Sequence, residues 1–410
     1  MASIRQNPRV AVIGGGPAGL FAAETLAGAG ITVDLFERMP NPGRKLLMAG
    51  RGGLNLTHSE PLEPFLGRYG AAPPALAAAI RAFPPAALRD WAEGLGQETF
   101  IGSSGRVFPR AMKASSLLRA WLARLADLGI RFHLRHDWLG WAENGALRFA
   151  TPAGEARAMP DATILALGGA SWPRLGADGG WTRHFGADVA PLEPANCGVR
   201  IGWSAVMRRH AGTPLKRILA RVDGEGAFGE AIITESGLEG GVIYALSRPI
   251  RAALVRAGSA RLVLDLRPDF RAEWIAARLE AARPKDSLAS KLRRAAGLQP
   301  NAVTLVFESA LAAGGIPKDP AVLAGLVRAL PLTITATAGL DRAISTAGGL
   351  RFAALGADFE LASRPGVFAA GEMLDWDAPT GGYLLQASFA TGRAAAEGAI
   401  RRLAARSGAG

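Results

Sequence analysis

The chain has 410 residues, 49% of them hydrophobic and 20% charged, an ordinary globular composition with room for two or three domains. Its single cysteine, Cys197, excludes an intrachain disulfide, a Cys-x-x-Cys redox pair and four-cysteine zinc or iron–sulfur sites, and its five histidines show no metal-ligand spacing, so no metal is expected. Lys and Arg exceed Asp and Glu by 47 to 35, and no apolar run has the length of a membrane span or the form of a signal peptide; a soluble, cytoplasmic protein is expected.

Val10-Ala11-Val12-Ile13 reads as a buried strand, Gly14 to Gly19 as a turn, the alanine-rich stretch to about Ala29 as a helix, and Ile31 to Glu37 as a second strand. Continuous apolar strands flanking a helix indicate a parallel sheet covered on both faces. A glycine-rich, basic loop follows from Gly43 to His58, then a helical pattern from Ala71 to about Leu128, interrupted at Pro84-Pro85 and by a Gly-Ser loop at Gly102 to Gly105. Arg131 to Trp141, Ala146 to Phe149 and Ala162 to Leu167 read as strands.

Composition shifts after Pro191, where alternating segments such as Cys197 to Ile201, Ile218 to Val222, Ala231 to Thr234 and Arg261 to Leu266 read as antiparallel strands. The block is best read as an insertion over residues 191–343: β-rich over 191–266, helical over 267–330, with a returning strand over 331–343. It holds 21 of the basic and 14 of the acidic residues, so an electrostatic partner would meet this block. Arg208, Arg209, His210, Lys216, Arg217 and Arg221 lie between Trp203 and Phe228, a mixture able to hold RNA phosphates and stack bases. The interrupted domain, residues 1–190 and 344–410, resumes with a strand at Gly366 to Gly371 and a last helix from Leu384 to Leu403.

Gly14-x-Gly16-x-x-Gly19 lies after a strand and opens a helix, and Glu37 ends the next strand 18 residues beyond Gly19, which is the dinucleotide fingerprint in its required context. The first glycine permits the turn, the second lets the backbone approach a pyrophosphate, the third lets helix and strand pack, and the carboxylate accepts ribose hydroxyls. NAD and FAD are separated by two later segments. Thr163 to Ala170 is a buried strand ending in small residues, where backbone passes close to a dinucleotide. Gly371 to Gln386 brings acidic groups able to bind ribityl hydroxyls, then a glycine-led helix N-terminus able to stabilise the negative charge on a reduced isoalloxazine. Asp375 and Asp377 offer a rival reading as an acid/base pair. The cations and glycines of Gly43 to His58 suit a loop passing over phosphates or a flavin face.

On Gly14 to Gly19, Gly43-Arg44-Lys45 to His58, Gly168-Gly169, Thr346-Ala347-Gly348-Gly349 and Gly371-Glu372 through Tyr383, the chain resembles, over essentially its whole length, the bacterial HI0933-like or BaiN-like NAD(P)/FAD-dependent oxidoreductases. The resemblance implies an α/β fold: a Rossmann-like, two-dinucleotide-type FAD-binding domain carrying an inserted mixed β-barrel and helical domain. It implies that Gly14, Gly16, Gly19 and Glu37 hold the ADP half of FAD, with Lys45 near it, and that Gly371, Glu372, Gly382 and Tyr383 border the ribityl and flavin half. Gly15, Pro17, Ala18, Arg38, Arg51, Gly52, Asn55, Ala166, Gly168, Gly169, Asp375 and Gly381 complete the candidate cofactor-binding set. One departure matters: where many relatives carry a Gly-Gly-Gly-Arg-Cys-Asn-like run, this chain has Gly50-Arg51-Gly52-Gly53-Leu54-Asn55, so a thiol acid is not available there.

No second fingerprint is evident, so NADH or NADPH is expected as a transient donor stacked on the flavin. The expected reaction is hydride transfer from NAD(P)H through FAD to an electron-poor double bond of a small molecule. Some relatives are associated with reducing uridine in ribosomal RNA to dihydrouridine and others with bile-acid or steroid reduction; an RNA-modifying flavoenzyme and a non-catalytic flavin-binding protein are the alternatives. No catalytic residue is assigned; His58 and Tyr383 are the candidates for the proton donor.

Overall fold

The computed structural model describes residues 8–49 and 52–408. The chain divides into two compact units, one running to Glu193 and resuming at Ser345, the other spanning Pro194–Ile344.

The first unit is built on a five-stranded parallel sheet in the order Val367–Ala369, Ala162–Leu165, Arg9–Ile13, Thr32–Glu37, Arg131–Leu134. Its central strand is buried from Val10 to Ile13, in keeping with an uninterrupted apolar run covered on both faces. The helix Pro17–Gly28 follows the central strand with proline at its first turn, where the missing N–H has no helical partner to lose. The last helix, Tyr383–Gly408, lies against it so closely that a Cβ at Gly392 would sit 2.3 Å from the Ala18 carbonyl oxygen. Beneath this crossing, Phe389 stacks on Trp121 at 5.2 Å and meets Phe21 edge-on at 5.1 Å, and the indoles of Trp91 and Trp121 both donate to Glu24.

Two segments differ from their sequence patterns. Within the stretch expected to be helical, Thr99–Ile101 and Arg106–Pro109 form a hairpin whose turn is the Gly-Ser loop; Phe100 opposes Phe108, the kind of cross-strand aromatic pair that favours sheet. The single strand expected over Arg131 to Trp141 is broken at Arg135, which has φ +58°. Arg131–Leu134 stays in the parallel sheet, whereas Asp137–Trp141 starts a three-stranded antiparallel meander with Leu147–Thr151 and Gly154–Ala158.

The second unit contains a seven-stranded antiparallel sheet whose two outer strands are Leu330–Ile334 and Ala336–Thr337. Only Thr335 separates them, so one stretch of chain pairs with Ala260–Asp265 at one edge and with Val199–Arg200 at the other, curling the sheet into a barrel. Helices Ala272–Glu280, Leu288–Ala295, Pro300–Ala312 and Pro320–Arg328 form the rest; Asp319 caps the last by accepting from the N–H groups of Ala321 and Val322 at 2.7 and 3.1 Å. The part expected to be β-rich also contains the helices Ala205–Arg208, Gly241–Ala245 and Ser247–Ala257.

Candidate cofactor-binding and active site

The fingerprint turn assigns each glycine a separate task. A Cβ on Gly14, which has φ +109°, would lie 2.2 Å from the Ala166 oxygen, and one on Gly19 would lie 1.9 Å from the Gly14 oxygen; these two are demanded by protein packing. A Cβ on Gly16 would meet no atom within 4 Å. The N–H groups of Gly16, Ala18 and Gly19 have no acceptor among the described residues. Open space at a helix N-terminus with unspent donors fits a pyrophosphate. Pro17 supplies the first helical turn and Ala18 packs against Gly371, where a Cβ would lie 2.7 Å away.

Glu37, at the end of the second strand, accepts from the N–H groups of Gly15 and Met39, both at 2.7 Å. Burial raises its carboxyl above the usual range, against the pull of these two bonds and of Arg38 and Arg44. Arg38 itself is committed to protein acids: it pairs with Asp178 at 2.8 Å and approaches Asp137 at 3.7 Å.

In the basic loop, Arg44–Ala49 is a short helix. Asn55 presents a buried side-chain oxygen, and Arg44 a buried Nε, with no hydrogen-bond partner. Buried orphan groups of both signs on the loop beside the fingerprint are what a polar cofactor would satisfy. Gly52 faces open space, and Arg51 lies outside the described residues.

Lys45 joins this loop to distant parts of the chain, donating to Ser171 at 2.9 Å and to Glu372 at 2.6 Å. Glu372 also accepts from the N–H groups of Thr346 at 3.1 Å and Gly169 at 3.4 Å. The Thr346 hydroxyl accepts from Ala170 and Ser171, and a Cβ on Gly169 would collide with it at 2.4 Å. Gly168, with φ +71°, turns its carbonyl toward the Trp181 indole at 2.9 Å. Asp375 follows; burial raises its carboxyl, Arg351 opposes this and the charge of Asp377 adds to it.

The turn before the last helix combines Gly381 at φ +140° and Gly382 at φ +93°. A Cβ on Gly382 would lie 2.5 Å from the Thr57 Cα, so the turn is pressed against the strand Thr57–His58. The N–H groups of Gly381, Gly382, Tyr383 and Leu384 have no acceptor among the described residues. They form a row of consecutive donors suited to an anionic or carbonyl-bearing edge. Both proton-donor candidates stand here with their protons engaged. His58 accepts from the Glu60 N–H at Nδ1, which leaves Nε2 to donate to the Ser104 carbonyl at 3.0 Å. The Tyr383 hydroxyl donates to Glu60, and burial together with that bond pushes its ionisation upward.

Sequence reading passed over Thr346 as an individual ligand, and over Ser171, Glu60, Arg68 and Tyr69. Thr346 lies in a small-residue segment that marks the place; Glu60 and Tyr69 carry no local pattern for their role, since Tyr383 lies 323 and 314 residues away from them. Of the basic group in the second unit, Arg217 is paired with Asp269 at 2.9 Å and His210 bonds Thr304, while Trp203 is buried with its indole N–H on the Gly237 carbonyl. Among the described residues there is no group of three potential metal ligands, and no helix is long and apolar enough to cross a membrane.

The family model for the HI0933-like protein Rossmann domain matches residues 8–398. A relative from Clostridium scindens, the 3-dehydro-bile acid delta(4,6)-reductase, is 27% identical over 413 residues, 96% of this chain and 99% of that one. In fold the chain is similar to the 3-ketosteroid-delta4-(5alpha)-dehydrogenase of Rhodococcus jostii RHA1, with a TM-score of 0.51 and 16% identity over 97% of this chain and 98% of that one. The 3-ketosteroid delta1-dehydrogenase of Sterolibacterium denitrificans gives a TM-score of 0.51 at 14% identity, over 96% and 99%. Matched along almost its full length, the chain belongs to the HI0933-like family of Rossmann-domain proteins and is an FAD-dependent oxidoreductase.

Proposed function

We propose that the protein is a reductase of small molecules, taking hydride from NADH or NADPH and delivering it to a carbon–carbon double bond conjugated with a carbonyl, in an apolar fused-ring substrate of the steroid or bile-acid kind. The observation that carries this reading is the end-to-end relation to the bile-acid reductase, which leaves almost no part of either chain unmatched. FAD, when bound, supplies a two-electron carrier between a nicotinamide and an electron-poor alkene.

In this reading the free N–H groups of Gly16, Ala18 and Gly19 bind the pyrophosphate and Glu37 holds the adenosine ribose. Arg44 and Asn55 satisfy their buried polar atoms on the cofactor. The Lys45–Glu372–Thr346 cluster ties the basic loop to the Gly169 and Gly371 turns, so that the segments meeting the cofactor keep one geometry. The Gly381–Leu384 N–H groups would hold an electron-rich edge of the flavin, and as fixed dipoles they would need no reorganisation to favour negative charge there. Reduction of the alkene also consumes one proton. The Nε2 proton of His58 and the hydroxyl proton of Tyr383 are each donated to a protein oxygen, so solvent or a group on the substrate side supplies it.

An anaerobic stopped-flow experiment tests the proposal. Flavin absorbance should bleach with NADH or NADPH and return when a 3-oxo-Δ4 steroid or a simple cyclic enone is added, with one equivalent of saturated product. A flavin that neither nicotinamide reduces, or a reduced flavin that only dioxygen reoxidises, would overturn it.

A further inference from the structure

Several tethers on the row of donors at Gly381–Leu384 come from one stretch of chain, residues 57–83. Tyr69 donates its hydroxyl to the Tyr383 carbonyl at 2.7 Å. Tyr383 in turn donates its own hydroxyl to Oε1 of Glu60, whose Oε2 accepts from Arg68 at 2.7 Å. The His58 ring stacks on the Tyr383 phenol at 5.6 Å and 19°, and Phe65 closes its side at 4.8 Å. Thr57 donates to Gln386, whose amide donates to the Phe83 carbonyl at 2.6 Å. Glu60 is only 11% exposed, yet the bonds from Arg68 and Tyr383 outweigh burial and hold its carboxyl below the usual range, so it is an anion at neutral pH. A charged carboxylate fixed by an arginine is a stiff anchor for a phenol, because each bond is charge-assisted.

We propose that Glu60, held by Arg68, is a positioning residue: through the Tyr383 hydroxyl it fixes the Gly381–Leu384 donors and thereby sets how much more tightly the protein binds reduced FAD than oxidised FAD. The proposal rests on the reading that places the flavin edge at these donors. A fixed dipole row favours the form that carries the added negative charge, whereas a row free to swing favours it less. Loosening the anchor therefore weakens binding of reduced FAD more than oxidised FAD, and the reduction potential falls. A tether that served folding alone would weaken both forms equally and leave the potential where it was.

The test measures the midpoint potential and the FAD dissociation constant of the holoprotein and of three variants, Tyr383→Phe, Glu60→Gln and the double variant. Tyr383→Phe keeps the ring contacts and removes only the hydroxyl; Glu60→Gln keeps the size and removes the charge. Each single variant is expected to lower the ratio of affinities for reduced over oxidised FAD about tenfold, which is about 30 mV to the negative for a two-electron couple. The double variant should fall by less than the sum of the two single shifts, since both act on the same bond. The direction is diagnostic: loss of a nearby negative charge alone would raise the potential in Glu60→Gln and leave Tyr383→Phe unchanged, and that pattern would overturn the proposal. So would potentials equal to the parent's in both variants, or strictly additive shifts. Failure of the underlying reading looks different: flavin bound with parental affinity by Gly382→Ala, checked in the same series, would place the flavin edge elsewhere.

Discussion

The glycines of the fingerprint can be separated by experiment, because at Gly16 the space a methyl would need is empty and at Gly19 it is filled. Gly16 has φ −82° and ψ 179°, which alanine adopts without strain. The entropy gained in the unfolded chain, about 0.4–1 kcal/mol, roughly offsets the poorer N-cap, so Gly16→Ala should leave the melting temperature of the apoprotein within a few degrees of the parent. Gly19→Ala would put its methyl 1.9 Å from the Gly14 oxygen, roughly 1.5 Å inside normal contact, and the wall is backbone. Overpacking of that kind costs about 3 kcal/mol, or up to about 6 °C for a unit of this size. Binding should rank differently. A methyl at Gly16 pushes the pyrophosphate off the free N–H groups, and the loss of one or two charge-assisted bonds at about 1.5–3 kcal/mol each weakens FAD about 100-fold. Flavin-fluorescence titration of the apoproteins, paired with thermal melts, reads both quantities. A Gly16→Ala protein that melts normally and binds FAD within threefold of the parent would refute the assignment of this turn.

The remaining predictions concern the supports of the site. Asp34, with a side chain 4% exposed, is held by Arg9, Arg131 and His133, and these partners lower its carboxyl despite burial. A lowered native value contributes stability above the unfolded value near pH 4 that is lost as pH falls through the native one. Asp34→Asn should thus cost about 2–3 kcal/mol at pH 7, less than for a fully buried pair since both arginines reach solvent, and the gap should narrow below about pH 4 in denaturant titrations. Lys45→Met should cost about 1–3 kcal/mol by leaving Glu372 short of its cation, and combining it with Glu372→Gln should add less than the two single effects together in a double-mutant cycle.

The strand–turn–helix start of the Rossmann fold was legible because its signals are local. Val10 to Gly19 carries strand, turn and helix within ten residues, and Glu37 follows at the distance the next strand sets. The family was legible for the same reason: its segments are short runs of glycine and charge. The hairpin at Thr99–Pro109 was not, since a few β-favouring residues between strong helical patterns are ambiguous until Phe100 meets Phe108. Nor could the sequence show that Arg38 belongs to Asp178, or that Tyr383 spends its proton on Glu60, 323 residues away. Such pairings are decided by tertiary packing, and no spacing rule reaches them.

The tie between Lys45 and Glu372 spans 327 residues, and the strand Val367–Ala369 that carries Glu372 into place forms the edge of the parallel sheet. On a ribosome adding about 5–20 residues per second, that separation is roughly 16–65 s of synthesis. Throughout it the glycine turn at Gly14–Gly19 exists without the lysine's carboxylate, without the Gly371 backbone against Ala18 and without the last helix across its own helix. Pro194–Ile344, continuous in the chain, can collapse during the wait. The surroundings of the Gly14–Gly19 turn are therefore complete only after Gly371, Glu372 and Gly392 have been made; a pulse-labelled chain arrested before Val367 is expected to hold no FAD.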